Sequence, residues 1–163
     1  MASCSRGFTT LAACACLAAG LCGVDASSPV AQAKPRVAAP DLEQMFDAVN
    51  ARRLERGLRA LTVDSRLMRA AATQAAYLAR TGRLEHRGPD GSDVGQRARR
   101  AGYQWSRVAE NLASSKASSA RAVVQMWMNS RAHRTNMLNR NYTEMGGAHV
   151  GAVWVLVLAR PRQ

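Results

Sequence analysis

The chain has 163 residues, with 23 basic against 11 acidic side chains and a formal net charge of +12. Such an excess draws a protein toward polyanions without specifying a fold; the absence of zinc-finger spacing or a basic strand interleaved with aromatics argues against specific nucleic-acid recognition. All four cysteines, Cys4, Cys14, Cys16 and Cys22, lie near the start, so the rest of the chain has no disulfide to hold it and must rely on packing.

In chain order, Arg6 gives a weakly positive start, the run Leu11 to Val24 is apolar but too short to span a bilayer, and small residues follow. Residues 1–33 therefore read as a cleavable export signal, cut after Ala33, within an A-x-A pattern, or after Ala26. Leu11-Ala12-Ala13-Cys14 looks like a lipobox, but too few apolar residues precede it. Residues 34–40 continue a proline- and alanine-rich stretch that reads as a linker, and the domain is expected over 41–160.

Asp41 is the expected N-cap of a first helix, with Leu42, Met45, Phe46 and Val49 forming one buried stripe and an end near Gly57. Asp64 or Ser65 should cap a second helix carrying Leu67, Ala71, Ala75 and Leu78, stopped by Gly82. Gly88-Pro89-Asp90-Gly91 is turn chemistry, so 83–92 is a loop. A short basic helix is predicted over Asp93 to Arg100, closed by Gly102, then a strand over Tyr103 to Leu112. Ser118 or Ser119 should cap a third long helix burying Ala122, Val123, Met126 and Trp127, followed by a helical turn at 133–138. The segments 144–149 and 152–159 read as a hairpin; the second is apolar on both faces, as a central strand covered by helices would be.

This order is α+β: an α-β-α sandwich with a small, mainly antiparallel sheet between helix layers. Three strings within it carry side chains able to bind a metal or move a proton: HRGPDGS at 86–92 with His86, AENLA at 109–113 with Glu110, and WMNSRAHRTNML at 127–138 with His133. Taken singly, each has a plain structural alternative. A histidine before a turn is more often a hydrogen-bonding surface residue than a ligand. A glutamate among apolar residues on a strand is as readily a structural hydrogen-bond partner as a chemical group, and a buried one needs a partner. Taken together, two imidazoles and a carboxylate from separate segments form a set able to bind zinc or another divalent cation with positions left open.

The three strings resemble those of the CAP superfamily, which comprises the cysteine-rich secretory proteins, antigen 5 and the pathogenesis-related proteins, and especially its compact bacterial, SCP-like extracellular branch. The resemblance runs from about Asp41 to Ala159 and implies the same α-β-α architecture. It also implies that His86 and His133 are candidate metal ligands, that Glu110 is the candidate catalytic group, and that Glu110, Asn111 and Ser130 line the cleft, with Asn111 in a structural role. Two departures stand out: Ala109 replaces the family's usual glycine, and Ser130 stands where many eukaryotic relatives carry a second glutamate three residues after the helix tryptophan. Loss of that carboxylate should weaken any metal site unless Glu85 or Glu144 substitutes for it. Ser130 lacks the strained turn and oxyanion donors of a serine nucleophile.

The resulting expectation is an exported, monomeric CAP-domain protein whose His/Glu cleft binds a divalent metal, a small ligand or an envelope component without catalysis. The alternative is a metal-assisted hydrolase of the cell envelope, with Glu110 moving the proton. A third is a structural wall protein held by charge alone. Its expected partners are an anionic cell-envelope polymer or lipid, with no specific nucleic acid and no transmembrane segment in the mature protein.

Overall fold

The computed structural model describes residues 40–114 and 119–163. The stretch read as an export signal, all of the expected linker but Pro40, and the alternative cap Ser118 lie outside the described residues.

Helix α1 spans Pro40–Leu54 and buries Leu42, Met45, Phe46 and Val49, the stripe its periodicity predicts. It begins one residue before the expected cap, so Asp41 sits inside the first turn beside Glu43. Proline explains the shift, since its fixed φ and missing N–H suit a first helical position, and both carboxylates then face the positive end of the helix. Strand β1 is only Thr62–Val63. Helix α2, Ser65–Thr81, is capped by the Asp64 carboxylate, which accepts from the backbone N–H groups of Arg66 and Leu67, and it ends at Gly82 with φ 68°.

Helix α3, Val94–Arg100, starts with a reciprocal capping box between Asp93 and Gln96. Strand β2 follows at Trp105–Ser114. Helix α4, Ala120–Asn129, is capped by Ser119. Its buried face is Ala120, Val123, Val124, Trp127 and Met128, which corrects the expectation for Ala122 and Met126: the former is half-buried and the latter 47% exposed. At about 100° per residue both turn away from the Val123–Trp127 stripe. Helix α5 is Arg131–Met137, and strands β3, Glu144–Val150, and β4, Val153–Pro161, form the terminal hairpin.

The sheet order is β1-β3-β4-β2, antiparallel except for the short β1–β3 pair. β4 is interior, and all seven residues from Val153 to Ala159 are buried. Alternation sends Trp154, Leu156 and Leu158 into a core with α1, α4 and α5, and Val155, Val157 and Ala159 into a second core with α2 and α3. The expected α-β-α sandwich is the observed one.

How closely the layers approach is set by two neighbouring glycines on β3. A Cβ at Gly146 would stand 2.3 Å from the Met68 backbone nitrogen in α2, and one at Gly147 would stand 2.3 Å from Cε of Met45 in α1. Successive residues face opposite sides of a strand, so this pair admits one helix layer on each side.

Candidate functional site

The loop ahead of α3 is a folded corner. The Gly91 N–H donates to Gly88 O at 3.0 Å, and the Gly88 N–H donates to Ser92 O at 2.8 Å. Gln74 of α2 ties the near side by donating from Nε2 to the carbonyls of Glu85 and Arg87. This pinning holds His86 at the edge of the loop with its side chain 64% exposed.

Beneath it, Glu110 points from β2 toward the α2 and α3 layer, as do Val108 and Leu112. Its carboxylate is sealed from solvent and doubly engaged: Oε1 lies 2.9 Å from His86 Nδ1, and Oε2 accepts from the Arg97 guanidinium at 2.6 Å. Arg97 is itself buried and donates also to the backbone oxygens of His86 and Ser92. One guanidinium thus fixes both the carboxylate and the loop that carries the imidazole. The hydrogen bond to Glu110 pushes the His86 pKa above its ordinary value; burial and the nearby Arg97 charge work against this and are outweighed.

Strand alternation puts Asn111 on the opposite face. Its Nδ2 donates to the backbone oxygen of His133 at 3.1 Å, and its Oδ1 accepts from Asn136, so it holds α5 against β2. Asn111 thus ties these two elements together and does not share the Glu110 side of the strand. His133 is half-buried on α5. Its pKa is lowered first by burial and then by the charge of His86.

Ser130 is the joint between α4 and α5; its N–H bonds to Met126 O and Trp127 O, and its hydroxyl does not cap α5. Glu85 accepts from the Tyr77 hydroxyl, and Glu144 from the Tyr103 hydroxyl. Each of these alternative carboxylates has one oxygen bonded to a tyrosine. Ala109 lies in the regular ladder opposite Leu158, where the backbone is extended and alanine fits without strain.

Residues 46–153 match the family model described as CAP, cysteine-rich secretory protein family. The chain belongs to the CAP family. Among its relatives, the protein YkwD of Bacillus subtilis (strain 168) is 28% identical over 114 residues, which is 69% of this chain and 44% of that protein. An extracellular protein of Bacillus anthracis containing an SCP domain superposes with a TM-score of 0.70 at 26% identity, covering 74% of this chain and 40% of the other. An outer surface protein of Borrelia burgdorferi gives 0.68 at 21% identity, covering 74% of this chain and 92% of the other, a likeness of fold. This CAP domain spans less than half the length of both Bacillus relatives.

The donor set of this CAP domain falls short of a resident metal centre. Both oxygens of Glu110 are taken, one by a cation. Among the described residues no group of three His, Cys, Asp or Glu side chains is arranged to hold an ion. A metal would find at most two imidazole nitrogens, with Glu110 standing behind His86 as the carboxylate that orients its ring.

Arg97 belongs to the site although in the sequence it reads as one more charge on a basic helix. A signal was present: Val94, Ala98 and Ala101 place the inward side of α3, and Arg97 falls on that side. An arginine there needs a buried anion, and Glu110 supplies it.

Proposed function

We propose that this CAP domain is an exported binding module that captures an anionic envelope component at His86 and His133 without catalysing a reaction. The observation that carries the reading is the bracing of an exposed imidazole by a buried Glu110–Arg97 pair. Nδ1 is committed to the carboxylate, which leaves the outer ring nitrogen to meet a ligand. Because Glu110 favours the charged ring, His86 presents a positive hydrogen-bond donor over a wider pH range than a free histidine.

Support for the location comes from the names of the structural neighbours, one an extracellular protein and another an outer surface protein. The segment 1–33 would be the signal that exports this chain. Binding rather than turnover is favoured because the Glu110 carboxylate is sealed from solvent with both oxygens already hydrogen-bonded, and Ser130 carries no activating contact among the described residues. A divalent ion would be a weak and exchangeable guest of the two imidazoles.

The test compares the exported protein with a His86→Ala, His133→Ala variant in sedimentation with purified envelope material. Loss of retention in the variant supports the reading, and equal retention removes the site. Calorimetry with zinc separates the metal from the ligand: equal heats from both proteins would exclude an ion at the imidazoles. Chelator-sensitive turnover of peptide or wall substrates, abolished by Glu110→Gln, would replace this reading with hydrolysis.

A further inference from the structure

Five arginines, Arg53, Arg56, Arg59, Arg140 and Arg160, line one hollow of about 740 Å³ where the α1–β1 connection meets the chain leading into β3 and the end of β4. No carboxylate lines it, and none of its lining residues belongs to the His86 site. Arg56 is partly neutralised by Glu55 at 3.5 Å. Arg59, Arg140 and Arg160 are exposed, and their guanidinium groups make no ion pair or hydrogen bond among the described residues.

The hollow is built by its fifth arginine. Arg53 is 1% exposed and spends its donors on backbone oxygens: Arg59 at 2.9 Å, Met137 at 2.7 Å, Asn139 at 3.0 Å and Tyr142 at 3.4 Å. That grip clamps the segment carrying Arg59 to the segment carrying Arg140, which lies between two of the gripped residues. Asn139 stiffens the second segment by accepting from the backbone N–H groups of Asn141 and Tyr142. The exposed cations are therefore held near one another by the backbone, against their mutual repulsion, and a positive charge buried without a carboxylate lies at their root.

We infer that this hollow is a second binding site, for a polymer carrying repeated phosphate groups. Guanidinium forks match phosphate oxygens in pairs, and the exposed Thr143 on the rim adds a hydroxyl donor. The volume exceeds a single phosphate ion and suits adjoining units of a chain. The one aromatic ring in the lining, Tyr142, is buried, so no platform exists for stacking nucleic-acid bases. Leu58, the large apolar side chain of the lining, is half-buried and leaves nothing to enter a bilayer. The site goes beyond the His86 reading, and each can fail without the other.

Polyphosphate binding to the exported protein is the test, measured over a range of salt concentrations. The Arg59→Ala, Arg140→Ala, Arg160→Ala variant should bind at least about tenfold more weakly, with a salt dependence shallower by about two to three released counterions. A variant with the same loss of charge elsewhere, Arg80→Ala, Arg83→Ala, Arg121→Ala, should change by less than about twofold. Circular dichroism melting of both variants checks their folding, and glutamine at the three site positions replaces alanine if a triple variant is unstable. Equal losses in the two variants would reduce the site to general charge. Equal binding of polyglutamate would overturn the phosphate assignment, and binding of phosphatidylglycerol vesicles with none of polyphosphate would overturn the polymer. Loss of polyphosphate binding in the His86→Ala, His133→Ala variant, with the arginine variant unchanged, would move the ligand to the other site.

Discussion

Nδ1 of His86 stands 2.9 Å from Oε1 of Glu110, an exposed ring resting on a carboxylate that solvent does not reach. The far oxygen of that carboxylate is held by Arg97, so the three groups form one line of charge from the core to the surface. Their coupling makes the imidazole the most direct reporter of the buried pair.

The His86 pKa should therefore fall in Glu110→Gln, read by NMR titration of the ring. Because the folded value lies above the unfolded one, its contribution to stability is full below about pH 6.5 and is lost as pH rises through the folded pKa. Comparison of the wild type with His86→Ala by urea denaturation should show a larger difference at pH 5.5 than at pH 8.5. With the ring 64% exposed, that difference should be about 0.5 kcal/mol or less.

His133 titrates in the opposite sense. Burial and the charge of His86 lower its pKa, so its contribution is full above about pH 6.5 and is lost as pH falls through the folded value. His86→Ala removes the second of these causes, and the His133 pKa should rise. An unmoved titration curve would show the two rings to be independent.

Arg97→Met should destabilise the domain by about 3–5 kcal/mol, because it strands Glu110 in the core and also frees the backbone oxygens of His86 and Ser92. Adding Glu110→Leu to the same protein should recover part of that loss, since no unpaired charge is left buried. Urea denaturation of the single and double variants measures both effects.

Gly146→Ala should cost about 2–3 kcal/mol or more, as its Cβ would meet helix backbone at Met68 and Leu67 rather than a flexible side chain. Gly57→Ala, with open space around it but φ at 67°, should cost about 1 kcal/mol. Similar thermal shifts in the two variants would mean that the layers yield at Gly146.

The helices and the central strand were legible because their signals are short-ranged. Asp64 and Gly82 bracket α2 through hydrogen bonds within four residues, and the apolar run from Val153 to Ala159 can be satisfied only between two layers. Met126 misled because an apolar residue next to the buried stripe reads like a member of it, and about 100° of rotation decides otherwise. Arg97 hid within a chain rich in arginine, where its place on the inward side of α3 beside Val94 and Ala98 was the one sign of burial.

From the sequence alone came the sandwich, the caps of α2 and α4 to within one residue, the loop that presents His86 and the three strings that carry the family resemblance, since each depends on neighbours a few positions away. Tertiary structure alone decided that Glu110 and Asn111, adjacent in the chain, serve opposite faces, one joined to His86 and Arg97 and the other holding the segment of His133. It also decided that Arg53 would clamp two distant segments into an arginine-lined hollow. The reason is geometric: a strand turns successive side chains to opposite sides, and which partner each then meets depends on how the covering layers dock, a relation between segments that periodicity within any one of them does not encode.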